Sequence, residues 1–216
     1  MKKKSGRYDT SHLIENQYEP GSRGRVLRNF LHITRKRDMD LAEAEQYALA
    51  IPEIGGRFDQ KHCFTAADIC ELHNVWLGDI YAWAGQYRQV NVSKDGFTFA
   101  AARYIPKLMQ ELEKGALRKY TPCTFNTDEE IVEALAVVQA ELMLIHPFRE
   151  GNGRAGRLFA VLMAFQAGLP GLDFSGIRGN KRQEYFTAVQ RSASRDYEPM
   201  KQIFSGVLSR TRRKLG

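Results

Sequence analysis

Along most of the chain, apolar residues return every three to four positions, the spacing that gathers them on one face of an α-helix. Such faces run through residues 41–50, 69–83, 105–117, 131–145, 158–165 and 199–208; in the second, Ile69, Leu72, Trp76, Ile80 and Trp83 fall in line. A further helix is expected from Asn180 to about Ser194. The face at 131–145 has clear ends. Thr127 with Glu130 three residues on is a capping-box start, ahead of Ile131, Leu135, Val138, Leu142 and Ile145. Pro147 disfavours helical geometry in the residue before it, so that helix must stop at His146. The next carries Leu158, Val161, Leu162 and Phe165 and stops at Gly168. Two runs break the pattern. Residues 86–92 and 97–100 have strand character, and Ser93-Lys94-Asp95-Gly96 between them holds the Asp-Gly pair that favours a tight hairpin. The prediction is an all-α bundle with one small β-hairpin.

Two strands alone are marginal in water, so the hairpin needs a packing partner or a task. It is either a connector held against the helices or an open edge that takes up a peptide by strand addition. With 216 residues, 43% of them hydrophobic, the chain can bury one good core, and no Pro, Gly or Ser linker divides it. The expected division is an N-terminal segment (1–17), a core domain (18–205) and a basic tail (206–216). Met1-Lys2-Lys3-Lys4 is followed by polar residues rather than a secretory apolar run, and no segment is long enough to span a membrane, so a cytoplasmic location is expected, with secretion as an effector left open. Cys63, Cys70 and Cys123 are odd in number and lack metal-ligand spacing, which suits a reducing compartment. The net charge of +7 and the run Arg210-Thr211-Arg212-Arg213-Lys214 raise nucleic acid as a partner, but no helix-turn-helix or zinc pattern accompanies them. His12, His32, His62 and His73 have no partner at catalytic or metal spacing and read as bystanders.

Between the two best-delimited helices stands His146-Pro147-Phe148-Arg149-Glu150-Gly151-Asn152-Gly153-Arg154-Ala155-Gly156-Arg157. Gly151 and Gly153 can adopt backbone angles closed to other residues, letting N–H groups converge into a nest at the positive end of the following helix. Asn152 offers an amide donor. Arg154 and Arg157, three apart on the first turn, can grip oxygens of a polyphosphate from one side. Glu150 beside such an anion needs a divalent cation between them, and magnesium is the natural candidate. His146 is the nearby group that can take a proton near neutral pH. A plain interhelical turn with a solvated face, or a nucleotide- or nucleic-acid-binding module with no catalysis, is the alternative; such a module has no use for a base at the loop entrance.

The segment resembles the signature of Fic domain enzymes, His-x-Phe-x-(Asp or Glu)-Gly-Asn-Gly-Arg-x-x-Arg, at every defined position, and the likeness extends over residues 18–205. The resemblance implies transfer of AMP from ATP to a hydroxyl side chain of a target protein, with pyrophosphate leaving. It makes His146 the general base, Phe148 a buried anchor, Glu150 the magnesium ligand, and Gly151, Asn152 and Gly153 the phosphate cradle. Arg154 and Arg157 then hold the beta and gamma groups. The intact Gly-Asn-Gly favours adenylylation, with UMP or phosphocholine transfer left open. The hairpin is similar to the Fic flap, which covers the site and registers the target segment, placing Lys94, Asp95, Gly96 and Phe97 nearest nucleotide and target. Tyr185 is expected to touch the base.

Many Fic enzymes are held off by a helix reading (Ser or Thr)-x-x-x-Glu-(Gly or Asn), which Ser11-His12-Leu13-Ile14-Glu15-Asn16 matches. In that reading Glu15 pairs with Arg157 and displaces the gamma phosphate. Tyr18-Glu19-Pro20-Gly21 instead resembles the entry segment of Fic toxins silenced by a separate small antitoxin protein. The two possibilities stay open at the level of sequence.

Overall fold

The computed structural model describes residues 10–214, so the basic run at residues 1–4 lies outside the described residues. In chain order come α1 (Lys36–Gly55), α2 (Ala66–Leu77), the strands β1 (Ser93–Lys94) and β2 (Phe97–Thr98), α3 (Ile105–Leu112), α4 (Arg118–Tyr120), α5 (Asp128–Ile145), α6 (Asn152–Gln166), α7 (Asn180–Ser192) and α8 (Glu198–Arg213). A π-helical turn, Glu113–Leu117, joins α3 to α4. The all-α architecture with a single small hairpin is the one that the apolar spacing predicts.

The helix α5 organises the bundle. From Ile131 to Ile145 almost every side chain is buried, including Leu135, Val138, Leu142 and Met143. A helix apolar over most of its surface lies largely in the interior, and α3, α6, α7 and α8 pack around it. Each large apolar side chain taken fully out of water contributes about 1.5–3 kcal/mol, so this one helix anchors the core. Its start is the predicted capping box: the Glu130 N–H donates to Thr127 Oγ1 at 3.2 Å and the Thr127 N–H returns to Glu130 Oε2 at 3.2 Å. Thr65 and Asp68 build a second capping box at the start of α2.

Three expected boundaries move. The face at 69–83 is not one helix, because α2 ends at Leu77; Ile80 and Trp83 remain buried on the turns that follow. Periodic burial thus outlasts the helix. In α1 the polar residues Lys36, Arg37 and Asp38 add a solvated first turn that an apolar pattern cannot register. The expected boundary at residue 206 falls inside α8, whose last turns hold the basic run. Arg212 there grips Asp128 with both carboxylate oxygens engaged, and Lys214 pairs with Asp173 at 3.0 Å. These cations sit at the negative end of a helix dipole and satisfy intramolecular acceptors, rather than forming a free tail.

The hairpin is shorter than its sequence suggests and is displaced into the predicted turn. Ser93 pairs with Thr98 and Lys94 with Phe97, leaving Asp95 (φ 48°) and Gly96 (φ 79°) as the two-residue loop. Positive φ at both central positions is what this hairpin turn requires. Residues 86–92 form no strand: the chain bends at Gln86, Gln89 and Val90, and only Val92, whose carbonyl accepts from the Phe99 N–H at 3.2 Å, extends the hairpin ladder.

Candidate active site

The end of α5, the start of α6, the hairpin and the first turns of α7 enclose a cleft of about 1400 Å³. At its floor, His146 closes α5 in the left-handed conformation (φ 52°, ψ 61°), its N–H bonded to Leu142 O at 3.0 Å. Pro147 bars a further helical turn, and the reversal swings the imidazole out of the helix line. Its Nδ1 lies 3.4 Å from the Met143 carbonyl. A carbonyl only accepts, so Nδ1 carries the proton and the Nε2 lone pair is free to take one. Phe99 stacks on the ring at 3.7 Å, and burial pushes the imidazole down to about 4. At neutral pH it is therefore uncharged.

The loop beyond is held from inside. Phe148, 1% exposed, stacks on His73 at 3.8 Å. The Gly85 N–H donates to His73 Nδ1 at 2.9 Å, so Nε2–H must donate to the Glu150 carbonyl, 3.1 Å away. Burial lowers His73 to about 4, keeping it neutral and able to play both roles. Asn152 closes the loop on itself: its Oδ1 accepts from the Phe148 N–H at 2.9 Å and its Nδ2 donates to the Phe148 carbonyl at 2.8 Å. Gly151, at φ 81°, begins α6; a Cβ there would stand 2.8 Å from Trp76. At Gly153 a Cβ would meet no protein atom within 4 Å, and the residue lines the cleft, so a side chain would fill only ligand space. With Asn152 spent on Phe148, the free donors are the first backbone N–H groups of α6.

The two arginines differ. Arg154 pairs with Glu43 at 2.5 Å and lies 4.6 Å from the Trp76 ring. Glu43, 1% exposed, also accepts from the Tyr81 hydroxyl at 2.7 Å, and its carbonyl accepts from Trp76 Nε1 at 2.9 Å, so α1, α2 and α6 are tied together there. Arg157, on the same helix face, lines the cleft with no hydrogen-bonded or ionic partner among the described residues. Glu150 is exposed and lines the cleft; one oxygen accepts from the Gly151 N–H at 3.0 Å, leaving the other for a cation. Among the described residues no cluster of three or more His, Cys, Asp or Glu could hold a metal by itself. One carboxylate oxygen plus substrate phosphates is, however, the usual way magnesium is held.

The Fic/DOC family model matches residues 63–164. The "Probable protein adenylyltransferase Fic" of Escherichia coli (strain K12) is 33% identical over 192 residues, covering 85% of this chain and 88% of the relative. The chain belongs to the Fic/DOC family. Its Salmonella typhimurium relative of the same description is 32% identical over 148 residues, covering 67% of this chain and 70% of its own. The BepC protein of Bartonella tribocorum, whose crystal structure holds AMPPNP, shares the fold with a TM-score of 0.73 at 24% identity, covering 91% of this chain and 97% of that one.

Of the Fic motif, His146, Glu150, Gly151, Asn152, Gly153, Arg154 and Arg157 line one cleft, while Phe148 is buried behind it, and several expected contacts differ. The Asn152 side chain clamps the loop rather than facing a ligand, and Arg154 is engaged by Glu43. Tyr185 lines the cleft, but its hydroxyl accepts from Gln139 Nε2 at 2.6 Å. In the flap, Lys94 and Asp95 line the cleft; Gly96 and Phe97 do not, and Phe97 packs edge-on against Phe99 and Phe186. The expected Glu15–Arg157 pair does not form. Ile14–Asn16 is a single 3-10 turn, and buried Glu15 accepts from the Gln89 N–H at 2.7 Å, so that carboxylate is spent on the bend leading into the flap. Asn16 lines the cleft and donates to Thr10 Oγ1 at 2.9 Å, while Ser11 is exposed. Sequence reasoning passed over Glu43, His73 and Arg88. His73 alone left a trace, being a polar residue among Ile69, Leu72 and Trp76 on an apolar face.

Proposed function

We propose that the protein is a protein adenylyltransferase that moves AMP from ATP to a hydroxyl side chain of a target protein. The observation that carries this reading is the convergence, on one cleft, of the His146 Nε2 lone pair, the open N-terminus of α6 and the unpaired Arg157. In the reaction, the target hydroxyl loses its proton to His146 as its oxygen forms a bond to the alpha phosphorus. The bond from that phosphorus to the bridging oxygen breaks, pyrophosphate leaves with the electron pair, and His146 passes the proton to solvent. An imidazole near 4 is a weak base in the free protein; negative phosphates bound beside it favour the protonated form and raise it toward the range a general base needs. Backbone N–H groups at Gly153 and the Arg157 guanidinium would hold the outer phosphates, and positioning of this kind supplies most of the catalysis in phosphoryl-type transfer.

Magnesium, held by Glu150 and phosphate oxygens, would supply neutralisation of the phosphate charge. The β1 edge faces the cleft through Ser93, which fits docking of a target segment by strand addition. Because Arg157 has no carboxylate partner among the described residues, the isolated chain is read as active, and any silencing as the work of a separate small protein. No helix among the described residues is long and apolar enough to cross a membrane. Incubation with alpha-labelled ATP, magnesium and a cell lysate tests the activity: labelled protein bands are expected, and their absence at every magnesium and protein concentration contradicts it.

A further inference from the structure

Arg88 is 1% exposed, yet no carboxylate touches its guanidinium. A buried cation without a paired anion is costly unless its donors are all met. Here they are met by carbonyls. Nε donates to His146 O at 2.8 Å, Nη1 to Val90 O at 2.7 Å, and Nη2 to Ala100 O at 2.6 Å and Ile145 O at 3.3 Å. The Arg88 N–H adds a bond to Pro147 O at 2.8 Å. Ile145 and His146 end α5, so their carbonyls are orphans of the helix at the negative end of its dipole, where a cation is stabilised. Burial lowers the guanidinium to about 10, still charged at neutral pH, and the field of Glu15 opposes that fall.

The four acceptors come from three segments: the chain entering the hairpin, the chain leaving it, and the end of α5 that carries His146. We propose that Arg88 is a positioning residue for AMP transfer, setting the flap and the general base in fixed relation to one another. Its fork holds the reversed backbone of His146 on one side and both legs of the flap on the other. A target strand lying on the flap is thereby brought into register with the Nε2 that must take its proton. A shift of about 1 Å in such a relation costs on the order of 100-fold in rate. Lysine keeps the charge but has no planar fork to span the three segments. The inference rests on the adenylyltransferase reading.

Arg88→Lys and Arg88→Ala are compared with wild type in three measurements: kcat and KM for ATP in AMP transfer, affinity for a fluorescent ATP analogue, and the 13Cα chemical shift of His146. In Arg88→Lys, kcat is expected to fall 100-fold or more while analogue affinity changes less than threefold, and the His146 shift moves away from its left-handed value. Methylguanidinium at millimolar concentration should raise the rate of Arg88→Ala at least tenfold. Wild-type kcat and an unmoved His146 signal in Arg88→Lys overturn the proposal. Loss of the fold in both variants also overturns it, since it makes Arg88 a support of the core rather than of the site. A wild type that transfers no AMP defeats the functional reading instead, and the chemical shift then decides the positioning role alone.

Discussion

Two kinds of residue make this site, those that face the cleft and those that hold them from behind. Glu43 belongs to the second kind. It is nearly without exposure, pairs with Arg154 and accepts from Tyr81, whose phenol is pushed up by burial and by the Glu43 charge. Removing one partner of a buried pair leaves the other uncompensated, which typically costs about 3–5 kcal/mol. Glu43→Ala is therefore expected to lower stability by about that amount, and urea unfolding of the variant measures it. A change under about 0.5 kcal/mol would place this pair with the weak surface bridges. None of this was legible in the sequence. Glu43 looks like any glutamate on a solvated helix face, and its partner stands on a different element. The cleft-facing residues His146, Glu150, Gly153 and Arg157 were legible because their chemistry is packed into one short loop, where spacing translates directly into geometry.

The hairpin shows what an element adds. Its register puts the Lys94–Phe97 pair next to the turn, and Phe99 N–H donates to Val92 O at 3.2 Å. Alternate residues of an antiparallel pair turn their polar groups inward and outward, so the N–H groups of Ser93 and Thr98 point away from the partner strand. Only Ser93 of these two lines the cleft. If a target strand adds to that edge, Ser93→Pro removes a donor it needs. Target modification should fall at least tenfold with nucleotide affinity retained, while Thr98→Pro has the smaller effect; a labelling assay with a fluorescent-nucleotide titration reads both. Equal loss in the two variants, or none, removes edge pairing from the account. The Asp95-Gly96 turn announced a hairpin in the sequence, but its true length was hidden. Residues 86–91 alternate like a strand, yet the chain bends at Gln89 and Val90, and the Arg88 side chain turns back to bind the end of α5, a contact that alternation cannot announce.

For the whole molecule, the helical class followed from apolar spacing, because α5 is apolar over most of its surface, broken beyond its first turn only by Glu133, Gln139 and Glu141, as a largely interior helix is. The same spacing misled at residues 78–83, where turns continue the burial rhythm of α2. Two histidines, buried His73 and half-buried His146, also give the whole fold a pH dependence. His73 and His146 are lowered by burial to about 4, below the ordinary value of 6.5. The unfolded chain binds more protons than the folded one between those values, so stability is full above about pH 6.5 and declines as pH falls toward 4. Urea unfolding from pH 7.5 down to pH 4.5 should show this decline with a slope approaching two protons. A flat profile across that window means that neither imidazole is held neutral.

The central claim is that His146 deprotonates a hydroxyl that attacks the alpha phosphorus of ATP. Wild type and His146→Ala are incubated in parallel with alpha-labelled and gamma-labelled ATP in the presence of magnesium, and incorporation into protein is followed with time. Label from the alpha position alone is expected in wild type, falling about 100- to 10,000-fold in His146→Ala with nucleotide affinity kept, the usual contribution of a general base. Transfer of gamma label, or an undiminished rate in His146→Ala, would contradict it.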